Sequence, residues 1–571
     1  MSAIYLVLIA AVVFLIAYVT YGSWLAKKWG FDPSRQTPAH EINDGVDYCP
    51  AKAPVLLGHH FSSIAGAGPI VGPIAAAVFG WLPVFLWVVI GSVFFGGVHD
   101  MGSLFLSVRN KGRSLGESIG QTLGKTGKVL FAIFAWLTLI LVVAAFTNIV
   151  ANTFGVKEAL VKEGAADVTA GGGAAATASL LFIALAVVFG IFVYRKGMSL
   201  ALGTLLGVIG MAVSIWLGTV FPLALSNTFW MYFLLAYIFV ASVTPVWILL
   251  QPRDYLNSFL LYAMLIGGMV GIFIYNPTIV APEFTSFVVG EGSKMQWMFP
   301  MLFVTVACGA ISGFHALVGS GTTSKQLDNE RDLKLVGYGS MLIEGLLAVV
   351  SVITVAYLAI GEAKGTPIAI FSGGLGHFMT SFGLPIAIGK TFVTLAISAF
   401  ALTSLDTATR LARFIFQEAF TGADGKARGG AVGEFLANRY VSTLITVAVS
   451  GWLGFSGYSV IWPIFGSANQ LLAAIALIAI AVALRKEGKA YGMIVLPMIF
   501  MFVVTITALG FLINGNITAI QAATAAGKSA VGTIVLMTFA ISLMILAFIL
   551  AGLAIKSFMT KNPLEKAQPN K

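Results

Sequence analysis

Four of the six histidines, His59, His60, His99 and His315, lie beside or within long apolar runs. An imidazole changes charge near working pH, so inside a membrane it is a natural proton acceptor, and a carboxylate beside it can adjust its affinity. Asp100 follows His99 directly, but successive helical residues point to different faces, so the two need not touch. His40 and His377 fall in connections, where a solvated ring is expected. Cys49, His59, His60 and His99 are borderline-soft ligands, yet their spacings match no zinc pattern and no metal is expected. Glu344 and Lys390 lie about nine and seven residues inside apolar stretches, where an isolated charge is costly and needs a partner or water. At 1.5 Å per residue their levels differ by only about 6 Å, so mutual pairing is expected. Asp406 and Arg410, at i and i+4, suit an interfacial salt bridge, and Asn469 and Gln470 suit hydrogen bonding between helices.

Two groups of small and polar residues could hold an ion or an anionic group. The run HHFSSIAGAGPIVGPIAAAVFGW opening at His59 carries Ser62, Ser63, Gly66, Gly68 and Pro69 at membrane depth. Backbone that is broken in lipid must line a cavity or be covered by protein, and it offers free carbonyls and half-helix ends. Further on, Cys308, Ser312, His315, Gly319 and Thr322 fall at i, i+4, i+7, i+11 and i+14, one arc of a helix that ends in SGTTSK with Thr323. The first group offers free carbonyls and the second hydroxyls, both of which can ligate an ion.

These residues sit in a chain of 571 residues that is 58% hydrophobic and only 10% charged, far too apolar for a soluble globular protein. Windows of about 19 residues place about fifteen helical spans between Ile4 and Lys556. The net charge of +10 lies in short Lys/Arg clusters between apolar runs. The positive-inside bias accounts for them, and nucleic acid is not expected as a partner. With the N-terminus outside, 27 of the 33 Lys and Arg residues face inward, Arg253 among them, in what reads as a loop. That predicts N-out, C-in and an odd number of spans. The opening helix has no basic leader or cleavage site and is expected to be retained. The longest outward connections are the Gly/Ala linker 161–177 and the segment 276–297, which is long enough to form a lid and equally fits a plain connector. A second interruption is expected in the span 229–250, where VASVTPVWILLQPRDYLN carries Thr244, Pro245 and Pro252. It lies five spans after the first, so the two cross in opposite directions, the arrangement of an inverted 5+5 repeat. The implied division is 1–58, an N-terminal helix and inward loop; 59–227 and 228–412, the two repeats; and 413–571, a loop and about four C-terminal helices.

Several long stretches resemble the carbon starvation protein A family, membrane transporters associated with uptake of peptides and of pyruvate: HEINDGVDYCPAKAPVLLGHHFSSIAGAGPIVGP (40–73), GGVHDMGSLFLSVRNKGRSLGE (96–117), QPRDYLNSF (251–259), CGAISGFHALVGSGTTSKQL (308–327) and TSLDTATRLARF (403–414). The resemblance implies a multi-pass carrier of the bacterial inner membrane with a fold similar to the leucine transporter. The last four spans would then be an addition to a ten-helix core. It also implies that the span around 298–320, as the eighth core helix, lends hydroxyls to a sodium or proton-substituted site beside the first break, so the ion site is expected where Ser312, Thr322 and Thr323 face Gly66 and Gly68.

No phosphate loop is present, and GAGPIVGP lacks the strand–helix setting of a nucleotide fingerprint, so neither an enzyme nor an ATP-driven pump is expected. The expected function is secondary active import of short peptides or a small carboxylate such as pyruvate, coupled to protons, with sodium as the alternative ion and no cofactor. A membrane sensor on a carrier-like fold is the competing class; a channel fits less well, because a 5+5 repeat favours alternating access. The expected partners are a small-molecule substrate and the bilayer; the sequence carries no sign of oligomeric state.

Overall fold

In lipid every backbone N–H and C=O must find a partner within the protein, and a chain this apolar meets that demand with helices. The computed structural model describes residues 1–45, 48–155, 172–245, 247–290, 295–359, 362–421, 427–527 and 529–559, and is 81% helical. Most of the 161–177 linker, Lys157, Lys162 and the tail beyond Met559 fall outside the described residues. Among the described residues, eleven helices are long and apolar enough to cross a membrane, or twelve with one bent pair counted as a span. The protein is a multi-pass membrane protein.

In chain order the helices are α1 (Ile4–Trp29), the bent pair α2 (Ala53–Ala65) and α3 (Gly68–Phe79), α4 (Trp81–Arg109), α5 (Leu115–Phe154), α6 (Gly172–Arg195) and α7 (Leu200–Val220). They continue with α8 (Asn227–Val243), α9 (Leu250–Tyr275), α10 (Met298–Val306), α11 (Gly313–Gly321), α12 (Lys334–Ala356), α13 (Pro367–Phe378), α14 (Ile386–Phe420) and α15 (Arg439–Gly454). Last come α16 (Tyr458–Lys486), α17 (Gly492–Ala525) and α18 (Val531–Met559).

The most extensive helix contact joins α5 to α14, and α16 packs against α4, α5, α11, α17 and α18. The most apolar stretch of α16 is wholly buried, whereas α1, α7 and α18 each leave most of theirs outside the protein core, as lipid-facing helices do. α16, expected among the four spans added to a ten-helix core, is thus enclosed by its neighbours and lies at the centre of the helix packing. Its small and aliphatic run ANQLLAAIALIAIAVAL lets neighbours close in on all sides.

Two expectations about broken helices are corrected. The stretch 229–250 is not one interrupted helix: α8 ends at Val243, Thr244 turns extended (φ −76°, ψ 143°), and α9 starts afresh at Leu250. Pro245 enforces this by disfavouring helical backbone at the residue before it, while Pro252 sits in the first turn of α9, where a missing N–H costs nothing. Pro245 is exposed. The second discontinuous helix is α10–α11, expected to be continuous. Helical backbone is lost before Ser312, which is extended (φ −143°, ψ 126°), so Cys308, Ser312 and His315 do not share one helical face.

At the end of the molecule that holds the N-terminus, residues 277–289 form a strap. Its backbone bonds to Met1 and Ala3, to Phe79, Trp81 and Leu82, and to Ala356, and the short pair β1 (Val288–Val289) and β2 (Gln296–Trp297) closes it.

Candidate functional site

The break between α2 and α3 bends the pair by 40°. Gly66 there has φ +27° and ψ −155°, a backbone that a side chain would strain. At Gly68 the need is space: a Cβ would stand 2.5 Å from Cys308 Sγ, so the two broken helices meet through the absence of a side chain. Pro69 lies in the first turn of α3, where its lack of an N–H is harmless. The C-terminal carbonyls of α2 lack helical partners. Ser404 of α14 donates to one of them, the Ser63 carbonyl, at 3.0 Å. The other break is satisfied from α16: Asn469 Oδ1 accepts from the Phe314 N–H at 2.8 Å, and Gln470 Nε2 donates to the Ile311 carbonyl at 2.9 Å. Asn469 Nδ2 also donates to Ser312 Oγ at 3.0 Å. Both residues bridge helices, and their particular task is to hold open backbone.

A chain of titratable groups crosses from α4 through α11 to α12. Asp100 Oδ1 lies 2.7 Å from His99 Nδ1, and Asp100 Oδ2 lies 2.8 Å from His315 Nδ1. The other nitrogen of His315, Nε2, faces Glu344 Oε2 at 3.3 Å. All four side chains are fully buried, and neither Glu344 oxygen has a hydrogen-bond partner among the described residues. His315 is thus an imidazole between two carboxylates. Protonated, it is a cation that hydrogen-bonds Asp100 and faces Glu344 as a counter-charge; deprotonated, it leaves buried carboxylate charge uncompensated in a dry place, which is costly.

A second network lies on the other side of α2. His59 Nδ1 meets Asp254 Oδ2 at 3.1 Å, Ser63 Oγ donates to the same oxygen at 3.3 Å, and Gln326 Nε2 lies 3.3 Å from His59 Nε2. Arg253 contacts Asp254 at 3.2 Å, pairs closely with Asp406, and donates to the Tyr237 hydroxyl at 2.6 Å; that hydroxyl in turn donates to Asp406 at 2.6 Å. His60, the next residue of α2, points away from this network to Thr323 Oγ1 at 2.8 Å.

The structure therefore brings His99, Asp100, His315 and Glu344 together, joins His60 to Thr323, and sets Ser63 and Gly66 against α14 rather than against the 312–323 hydroxyls. Ser62 is buried with no partner for its hydroxyl among the described residues, Thr322 bonds back to the Val318 carbonyl at 3.0 Å, and Thr244 and Pro245 stand apart from the breaks. His99 and Asp100 do touch, although they are successive residues of one helix. Glu344 does not meet Lys390: its partner is His315, and Lys390 is exposed in a cavity of about 560 Å³. Asp406 pairs with Arg253 rather than with Arg410, which donates to the Ala241 and Thr244 carbonyls at the end of α8. Sequence reasoning does not single out Arg253, Asp254, Tyr237, Ser404 or Gln326 as site residues. Arg253 reads there as part of a loop, and the available signal is the position of Arg253 and Asp254 at the head of a long apolar helix.

A family profile described as Carbon starvation protein CstA matches residues 2–364 and 359–508. The chain belongs to this family. Family relatives include the peptide transporter CstA of Bacillus subtilis (strain 168), 31% identical over 99% of this chain and 98% of that protein. Another is the pyruvate/proton symporter BtsT of Escherichia coli (strain K12), 32% identical over 89% of this chain and 81% of that protein. Among solved structures, a manganese transporter of Eremococcus coleocola in complex with an aromatic bis-isothiourea substituted compound is similar at a TM-score of 0.46 and 12% identity, over 91% of this chain and 98% of that one. That likeness is too slight to carry an argument.

Proposed function

We propose that the protein is a secondary active transporter of small carboxylate-bearing solutes, pyruvate or short peptides, driven by the proton gradient across a bacterial inner membrane. The observation that carries this is the buried Asp100–His315–Glu344 chain, whose central imidazole belongs to α11, half of a broken helix. A charge on His315 ties α11 to α4 and α12; loss of the proton keeps one N–H but removes the charge that pairs with Glu344 on α12, so protonation and the position of α11 are linked. The names of the relatives support both substrates, which share a carboxylate.

Counting α8, the pair α10–α11 and α15 with the twelve spans above makes fifteen crossings. The broken helices are then seven crossings apart and run in opposite directions. The inverted repeat becomes α2–α3, α4, α5, α8 and α9 against α10–α11, α12, α14, α15 and α16, with α6–α7 as an inserted hairpin. Its support is that third members α5 and α14, and fourth members α8 and α15, pack on each other.

The test is uptake of labelled pyruvate and of a labelled dipeptide into proteoliposomes under an imposed pH gradient or an imposed sodium gradient. Glu344→Gln keeps the size and hydrogen-bonding shape of the side chain but cannot exchange a proton. It is expected to abolish gradient-driven accumulation and to leave substrate exchange in place. Accumulation by sodium alone, or normal accumulation by Glu344→Gln, would overturn the proton reading.

A further inference from the structure

Lys390 does not meet Glu344, and its own surroundings are of a different kind. It is the fifth residue of α14, at the helix's N-terminal end, where a cation is disfavoured by the helix dipole. Its backbone and stem lie against α13 at a close approach of glycines: a Cβ at Gly376 would stand 2.8 Å from Lys390 N and 3.1 Å from its Cγ, so a side chain at Gly376 would close the space the lysine occupies. No carboxylate among the described residues forms a salt bridge with it. The cavity of about 560 Å³ that it lines contains no other charged side chain among the described residues, and Thr366, Ser372, Thr391, Thr394 and Asn152 add polar groups. The N-terminal turns of both α13 and α14 border the same space, so two positive helix ends and an ammonium converge on it. Val71, three residues beyond Gly68 on α3, lines it as well, which connects the cavity to the first helix break.

We propose that this cavity is a carboxylate-binding vestibule in which Lys390 captures the anionic end of the substrate before it reaches the helix breaks. The inference rests on the proposed function for its ligand class, and it assigns a site at the end of the molecule where α5 finishes and α6 and α14 begin. A volume of this size admits pyruvate or a dipeptide, and the absence of a buried carboxylate partner among the described residues leaves the ammonium for the ligand. The lysine sets affinity and not turnover, because it lies outside both ionisable networks.

The experiment uses the full chain with Cys49→Ser and Lys390→Cys, reconstituted in proteoliposomes, with pyruvate and a dipeptide as probes. Loss of a charged hydrogen bond is expected to raise the half-saturating pyruvate concentration roughly tenfold or more with little change in maximal rate. Aminoethylation of the introduced thiol by a methanethiosulfonate reagent, which rebuilds a lysine-like ammonium, should restore affinity, whereas the sulfonatoethyl reagent should not. Lys390→Arg should stay within a few-fold of the native protein, and it serves should the cysteine variant fold poorly. Unchanged affinity in Lys390→Cys, or equal recovery with either reagent, would overturn the vestibule. Charge-dependent affinity at this position together with normal accumulation by Glu344→Gln would retain the vestibule and overturn the proton relay. The reverse pattern would retain the relay alone.

Discussion

At the scale of single residues, two successive histidines do different work. His59 and His60 leave α2 in different directions, one to Asp254 and one to Thr323, so α2 cannot shift without disturbing both contacts. The Arg253–Asp406 pair is fully buried, and its energetic character follows from desolvation: breaking such a pair strands a charge, whereas removing both partners removes the difficulty. Arg253→Met is expected to lower stability by about 3–5 kcal/mol, read as a loss of melting temperature in detergent. Adding Asp406→Asn should recover much of it, because Asp254 keeps His59 and Ser63. Equal melting of the single and double variants would show that Arg253 acts through packing. His315→Gln should behave like Arg253→Met, since it strands Asp100 and Glu344, and its yield should improve when Glu344→Gln is added.

At the scale of elements, the two broken helices depend on what fills the gap between them. Gly68→Ala places a methyl group on the Cys308 side chain and is expected to cost about 1–3 kcal/mol by overpacking. Cys308→Gly in the same chain should restore both folding and transport, while Cys308→Gly alone should be mild. If the double variant is no better than Gly68→Ala, the contact in the first break lies elsewhere. Asn469→Ala removes the acceptor for the Phe314 N–H and leaves the start of α11 uncapped in a dry setting, a loss of about 1–2 kcal/mol. Asn469→Asp keeps the acceptor and should retain more stability than alanine, read in the same melting assay.

At the scale of the whole molecule, the strap 277–289 and the connection 326–333 lie at opposite ends. Glu283 on the strap and Arg331 on the connection are both exposed. In a chain lacking Cys49, single cysteines at these positions should label from opposite sides of the membrane, Glu283→Cys from outside and Arg331→Cys from inside. Labelling of both from one side would contradict fifteen crossings with an outer N-terminus.

The membrane class, the helical content, the broken backbone at Gly66 and the family were legible from composition, glycine–proline placement and long shared stretches, because lipid imposes its demands one segment at a time. The histidines and Glu344 stood out for the same reason: a titratable group in an apolar run is anomalous before any fold is known. Their partners were not legible. Helical periodicity assigned His315 to a continuous stripe, and depth arithmetic paired Glu344 with Lys390, but a helix break re-aims every residue after it. What breaks a helix is also not confined to its own sequence: α10–α11 opens where Asn469 and Gln470, some 155 to 160 residues away, supply the hydrogen bonds that the backbone gives up. The tertiary structure alone decided that α16 is central, that Arg253 and Asp254 are buried, and that Lys390 faces a cavity, since burial depends on which helices surround a segment and not on the segment itself.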